Sequence, residues 1–208
     1  MKLICRSFAD GGVIPADFAF GKTDAKSHVA LSKNRNPAFA WEDVPAGTKS
    51  FALICHDPDA PQFGDGVNHE NFTVPAFRPR GSFFHWSLFD LSANRRDIAE
   101  GEFSDGVTIR GKNAATKDGA RQGINDYTAW HAGDPDMKGD YFGYDGPCPP
   151  WNDAIAHRYF FTLYALDVEQ LDVPDKPTCQ QVQAALGCHV LEAASIMGTY
   201  SLNPEVEK

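Results

Sequence analysis

The stretch GYDGPCPPWNDAIAHRYFFTLYALD, residues 143–167, joins a loop rich in glycine and proline to a strongly apolar run. Aromatic residues dominate that run, which predicts a buried β-strand from residue 157 onward. The predicted strand nevertheless opens on the polar residues His157, Arg158 and Tyr159. Because successive side chains of a strand point to opposite faces, we expect His157 and Tyr159 on one face and Arg158 on the other.

Two further segments predict interior strands. Residues 49–61, KSFALICHDPDAP, contain a run that is apolar on both faces, and we expect Pro58 and Pro61 to end its pairing. Residues 81–91, GSFFHWSLFDL, place His85 among phenylalanine, tryptophan and leucine residues. The glycine- and aspartate-rich region between the second and third strands shows little periodicity, which is often a sign of a functional loop.

One helix is predicted near the C-terminus, over residues 177–196. Thr178 and Gln181 have the spacing of a capping box, and apolar residues recur at helical intervals along one stripe that includes His189. We interpret His189 as a packed core residue. Together with the three strands, this helix predicts a mainly β architecture with a few peripheral helices.

Composition restricts the classes of partner. The chain has 208 residues without a linker-like segment, which predicts one domain spanning 1–208. Its net charge of −9 disfavours nucleic acid and an anionic membrane surface as general partners. No signal peptide or membrane-spanning stretch is recognisable, so integral membrane association is not expected. Five cysteines without a C-x-x-C pair suggest reduced thiols and a cytoplasmic protein.

The polar residues at the strand ends form the best candidate site. If the ends converge, Asp57, His85, His157 and Tyr159 form a small pocket beside the backbone amides of the loop 143–146. Imidazole N–H, tyrosine O–H and loop amides are donors suited to a phosphate or carboxylate oxygen. The alternative for each residue taken alone is a hydrogen-bonded polar group of the core. Since apolar residues would pack as well at both histidine positions, we attribute the histidines to binding.

Nucleophilic catalysis and metal binding have less support in the sequence than anion binding. The sequence has neither a G-x-S-x-G nor an S-x-x-K motif, and Cys148 between prolines is interpreted as a structural thiol. Residues 134–145 mimic parts of a calcium loop, but Lys138 occupies a ligand position and Pro135 stiffens the turn. We therefore expect neither a metal nor a cofactor.

The segments CHDPDAP, FFHWSLFDL, GARQGINDY, the quoted stretch 143–167 and the terminal GTYSL resemble successive signatures of the phosphatidylethanolamine-binding protein family, specifically its bacterial Raf kinase inhibitor-like members. The resemblance runs from residue 7 to residue 200. It implies an antiparallel β-sandwich with a Greek-key element, and a pocket for phosphate, a phosphoryl head group or a carboxylate. By motif, the ligand-binding positions are Asp57, His85, Gly143, Gly146, His157 and Tyr159, with Asp59, Phe83 and Pro150 as pocket wall or support.

The function that the resemblance implies is a non-catalytic binding protein with a regulatory role, such as inhibition of a kinase or protease. The alternative is a weak hydrolase or lyase that uses His85 and His157 as acid and base. Bacterial relatives imply a homodimer. Two segments depart from the family pattern: NRNPAFAW at 34–41, and an insertion at 128–142. The insertion is polar without a core-facing pattern, so we expect it to be dispensable for folding but not for ligand selection, either as a lid over the pocket or as an extended oligomer contact.

Overall fold

A computed structural model describes residues 1–116 and 118–206. None of the helices within these residues is long and apolar enough to cross a membrane. The elements are the strands Lys2–Cys5 (β1), Gly21–Asp24 (β2), His28–Leu31 (β3), Phe39–Glu42 (β4), Ser50–Pro61 (β5), Arg80–Ser92 (β6), Asp97–Ile98 (β7), Arg121–Gln122 (β8), His157–Leu166 (β9) and Val190–Tyr200 (β10), and the helices Tyr127–Trp130 (α1) and Cys179–Leu186 (α2).

The strands form an antiparallel sandwich. The larger sheet has the order β10-β9-β5-β6-β8, the smaller has the order β1-β4-β7, and β2 pairs with β3 as a separate hairpin. Within the larger sheet, β9 returns to lie beside β5, which gives the four strands β9-β5-β6-β8 the spatial order of a Greek key. The predicted mainly β, antiparallel architecture is therefore confirmed.

Both faces of β5 are buried. Phe51 and Leu53 pack into the main core between the two sheets, where they meet Trp41 of the smaller sheet. Ala52 and Ile54 point to the opposite face and pack beneath α2. Because alternate residues of one strand enter two different cores, the run from Phe51 to Ile54 is apolar at every position.

The prediction that Pro58 ends β5 is wrong. The strand continues to Pro61 and stays paired with β6, while its register shifts between Asp57 and Ala60. Such a bulge removes residues from the hydrogen-bonded ladder, so a proline without an N–H is tolerated there. The pairing of β5 with β9 does end just before this point, at His56 opposite Phe160.

The predicted helix 177–196 is right only in its first half. The capping box is confirmed, since Gln181 N donates to Thr178 Oγ1 at 3.2 Å and Thr178 N donates to Gln181 Oε1 at 2.9 Å. The helix ends at Leu186, before Gly187 with a φ of 34°, and residues 190–200 form strand β10. His189 lies outside the core, where its Nδ1 is 2.9 Å from Asp167 and its side chain is 39% exposed. Pairing with β9 overrides the helical spacing of the apolar residues.

The segment 128–142, which we expected to be an insertion without core residues, contributes to a buried apolar cluster. Tyr141 is fully buried and Phe142 is 4% exposed. Tyr141 packs with Phe20 and Tyr127 in a separate apolar cluster, and its N–H donates to Thr128 Oγ1 at 2.9 Å. Removing the insertion would uncover this cluster, so the segment is not dispensable for the packing of the protein.

We expect Gly139→Ala to destabilise the protein by about 1–3 kcal/mol, the range typical of overpacking. A Cβ at Gly139 would lie 2.1 Å from the backbone oxygen of Arg110, and backbone cannot rotate away as a side chain can. The matched control is Gly133→Ala in the same insertion, where a Cβ meets nothing within 4 Å. Urea unfolding measures both changes, and equal stability of the two variants would contradict this packing.

Candidate functional site

A cavity of about 450 Å³ lies where β5 ends and where β6 and β9 begin. It brings together Asp57, His85, His157 and Tyr159, as the alternation of the strands predicts. Phe83 and Pro150 also line it, whereas Asp59, Gly143 and Gly146 do not. The remaining wall is mostly apolar and includes Phe20, Ala60, Pro61, Val67, Tyr127, Ala129, Trp130 and Pro149.

His157 is held between two carboxylates. Its Nδ1 lies 2.7 Å from Asp57 Oδ2, and its Nε2 lies 3.1 Å from Asp153 Oδ2. Burial favours the neutral ring, but the hydrogen bonds and charges of Asp153 and Asp57 outweigh it and raise the pKa of His157 to about 9. At neutral pH both ring nitrogens therefore carry a proton and donate to protein carboxylates. His157 has no N–H left for a ligand.

Asp153 is a residue of the site that the sequence reasoning missed. It is 1% exposed, and Arg80 binds it through both terminal nitrogens. Burial favours its protonation, yet hydrogen bonds from His157 and Arg80 prevail and lower the pKa of Asp153. Arg80, Asp153, His157 and Asp57 thus form a row of alternating charges. The signal in the sequence was an aspartate four residues before the strand histidine.

Asp57 and Asp59 have different roles. Asp57 uses Oδ2 for His157, and its Oδ1 accepts the N–H of Asp59 at 2.7 Å. The carboxylate of Asp59 is bound by Arg158, with Nε–Oδ2 at 2.8 Å and Nη2–Oδ1 at 2.7 Å. Burial opposes ionisation, but the hydrogen bonds from Arg158 prevail and lower the pKa of Asp59. Asp59 therefore fixes the bulge of β5 from outside the cavity.

His85 offers an acceptor to the cavity. Its Nδ1 lies 2.8 Å from the backbone oxygen of Asp145, and since a carbonyl only accepts, the proton sits on Nδ1. Burial lowers the pKa of His85, against the opposing charge of Asp57, so the ring is neutral at pH 7. The neutral ring then carries a lone pair on Nε2, and a ligand must donate a hydrogen bond to this atom.

Tyr159 offers an unused donor. The residue is fully buried, its ring centroid lies 5.2 Å from that of His85, and its hydroxyl has no partner among residues 1–116 and 118–206. Burial, assisted by the charge of Asp57, raises the pKa of Tyr159 well above its usual value, which keeps the O–H protonated. A buried polar group without a partner costs about 1–3 kcal/mol. A buried donor of this kind calls for an acceptor, such as an ordered water or a ligand.

Three of the amides of the loop 143–146 are bonded within the protein, contrary to expectation. Gly143 N donates to Gly123 O at 3.1 Å, and Gly146 N donates to Asn34 Oδ1 at 2.8 Å. Asp145 N donates to the backbone oxygen of His85 at 3.1 Å. These amides are used within the protein because the loop is packed closely, and its role at the site is to fix the tautomer of His85.

The insertion and the proline-rich loop complete the wall. Ala129, Trp130 and His131 come from the insertion, and Trp130 is 54% exposed at this position. Cys148 also lines the cavity, where burial raises its pKa to about 12 and keeps the thiol protonated. Within the described part of the chain, no three histidine, cysteine or acidic side chains are grouped to hold a metal ion.

Comparisons with known proteins agree with the fold. The phosphatidylethanolamine-binding protein family matches residues 5–201. The UPF0098 protein YbhB of Escherichia coli (strain K12) is 33% identical over 201 residues, which is 97% of this chain and 100% of the relative. The UPF0098 protein of Aquifex aeolicus (strain VF5) is 32% identical over 200 residues, which is 96% of this chain and 88% of the relative.

Two solved structures are similar as well. A phosphatidylethanolamine-binding protein homologue from Chlamydia trachomatis, CT736, superposes with a TM-score of 0.64 at 28% identity, over 96% of each chain. YbcL of E. coli, described as a member of the mammalian PEBP family, superposes with a TM-score of 0.67 over 96% of this chain and 97% of that chain. At 24% identity, YbcL supports the fold alone.

Proposed function

Because the chain belongs to the phosphatidylethanolamine-binding protein family, we propose that its cavity binds a small acidic group and that the protein is a binding protein, not an enzyme. The group is a phosphate, a phosphoryl head group or a carboxyl group. The observation that carries the proposal is the unpaired hydroxyl of Tyr159 beside His85, whose Nε2 is an acceptor.

The hydroxyl of Tyr159 and the Nε2 atom of His85 together select the protonation state of the ligand. Tyr159 donates to an anionic oxygen, and His85 accepts from an acidic hydroxyl of the same group. A phosphate monoester that keeps one O–H is a monoanion and supplies both, whereas its dianion leaves His85 Nε2 without a donor. The charge of Asp57 also disfavours a second negative charge nearby, although His157 compensates Asp57 itself. The bound form is therefore the monoanion, or an equivalent state in which His85 holds the proton.

Phosphate binding by Tyr159→Phe tests the proposal. A hydrogen bond to a charged group contributes about 1.5–3 kcal/mol, so the affinity for inorganic phosphate should fall at least about tenfold. The control is Tyr164→Phe on the same strand, whose ring packs beneath α2 instead of lining the cavity. Calorimetric titration measures all three proteins. Unchanged affinity in Tyr159→Phe, or no binding by the wild type, would overturn the proposal.

The affinity for phosphate should strengthen as the pH falls from about 8 to about 6. Whether the proton resides on phosphate or on His85, the complex takes up protons that the free components lack, so acid favours binding. Titrations in two buffers of different ionisation enthalpy count the protons. His56→Gln is the control, since His56 stacks on Phe160 outside the cavity and should leave the slope unchanged. An affinity that stays flat or rises with pH would contradict this binding mode.

The non-catalytic part of the proposal is supported by the state of His157. An imidazole that is protonated and bonded at both nitrogens does not accept or release a proton near neutral pH. The alternative enzyme, with His85 and His157 as acid and base, would need His157 free. The related proteins described above have names without a catalytic activity.

The wider role that we propose is regulatory, through inhibition of a kinase or protease by a cytoplasmic homodimer. Family membership supports the regulatory role, and the five free cysteines support a reducing compartment. Sedimentation equilibrium gives the oligomeric state, and a monomer at all concentrations would contradict the dimer. Adding the protein to kinase and protease assays tests the inhibition.

A further inference from the structure

We infer that the ligand carries a flat aromatic ring next to its acidic group, and that Trp130 and His131 of the insertion hold this ring. The inference rests on the proposed function, because it needs the acidic group to lie at Tyr159 and His85. It adds the chemical class of the whole ligand, which is an aryl phosphate or an aryl carboxylic acid.

The cavity is larger than an acidic group requires. Phosphate has five heavy atoms, which fill no more than about 150 Å³ even if each is given the volume of a water molecule. The cavity of about 450 Å³ is within the range of sites for small organic molecules. A ligand that fills it therefore extends well beyond Tyr159 and His85.

The direction of this extension is marked by a row of aromatic rings. From Tyr159 and His85, the row continues to Tyr127, with centroids 5.6 Å apart, and then to His131, 5.7 Å from Tyr127. Phe83 meets Tyr127 edge-on at 5.2 Å. Walls of this kind favour a flat ring, which can stack on some of their members and meet others edge-on. An aliphatic ligand does not need such a wall, because aliphatic side chains would hold it equally well.

A second unpaired polar atom lies at the outer end of this row. His131 Nε2 is buried and has no hydrogen-bond partner within residues 1–116 and 118–206. The ring of His131 packs against Tyr127, Tyr127 packs against His85, and His85 packs against Tyr159. Trp130 precedes His131 and leaves more than half of its side chain exposed while lining the cavity. Both residues belong to the insertion, which assigns the selection of the ring to this segment.

The test compares three phosphate monoesters, methyl, hexyl and phenyl phosphate, by calorimetry at about pH 5, below their second pKa of about 6, so that all are monoanions. We expect phenyl phosphate to bind at least about tenfold more tightly than methyl phosphate, and more tightly than hexyl phosphate. In Trp130→Ala and His131→Ala this advantage over methyl phosphate should shrink several-fold. The control is Phe77→Ala, an aromatic residue that is 90% exposed and outside the cavity.

The outcomes separate the inference from the proposed function. If methyl phosphate binds and phenyl phosphate binds no better, the inference is overturned while the acid-binding site stands. Equal binding of hexyl and phenyl phosphate overturns the preference for a ring, and an advantage that persists in both insertion variants overturns the role of the insertion. Circular dichroism of each variant shows whether it is folded. If none of the esters binds to the wild type, the proposed function fails as well.

Discussion

Asp153→Asn is expected to lower the free energy of unfolding by about 3–5 kcal/mol, the range for removing one partner of a buried ion pair. The carboxylate is 1% exposed and lies between His157 and Arg80, whose side chain is 13% exposed. Asparagine keeps the size of the side chain but removes the negative charge, which leaves two buried cations facing a neutral group. Urea unfolding at about pH 7 measures the loss.

The control for this variant is Asp167→Asn. Asp167 pairs with His189, but the two side chains are 48% and 39% exposed, and exposed pairs contribute no more than about 1 kcal/mol. If Asp153→Asn is no more destabilised than Asp167→Asn, then Asp153 does not carry the charge that its contacts indicate.

The stability that His157 provides should be lost as the pH rises. The folded pKa of about 9 exceeds the unfolded value of about 6.5, so the contribution is complete below pH about 6.5 and disappears by pH about 9. The difference of pKa corresponds to about 3 kcal/mol. Burial lowers the pKa values of His56, His85 and His131, which gives their contributions the opposite sign.

Comparison with His157→Gln isolates this effect, because the contributions of the other histidines are common to both proteins and cancel. The difference in unfolding free energy between wild type and variant should shrink by about 3 kcal/mol between pH about 6.5 and about 9. A constant difference would contradict the assignment. NMR titration of the His157 ring in the wild type measures the same pKa directly, and a value near 6.5 would equally contradict it.

These two predictions change the role of His157 from the one that its position in the sequence suggested. Alternation along β9 correctly placed His157 and Tyr159 on one face, because the period of a strand is fixed by its backbone. The partners of the imidazole nitrogens follow from the path of the loop that brings Asp153 back to the strand. Strand spacing contains no information on that path. The histidine that looked like a ligand donor has both ring nitrogens within hydrogen-bond distance of carboxylates of the fold.

The misplaced elements have a similar origin. Apolar residues between Val190 and Tyr200 fit a helix as well as a strand, and only pairing with β9 distinguishes the two. In the insertion, Tyr141 and Phe142 are isolated among polar and glycine residues, so no periodicity revealed their burial. The amides of the loop 143–146 looked available because their acceptors, such as Asn34, are distant in the sequence. Local patterns were sufficient for the interior strands and insufficient for contacts between loops.

A crystal structure of the protein grown with phosphate tests the central claim most directly. We predict a phosphate ion in the cavity, with one oxygen within hydrogen-bond distance of Tyr159 Oη and another within that distance of His85 Nε2. The nitrogens of His157 should remain bonded to Asp57 and Asp153. A phosphate bound instead to His157 or to the amides of the loop 143–146, or a cavity without phosphate at saturating concentration, would contradict the proposed site.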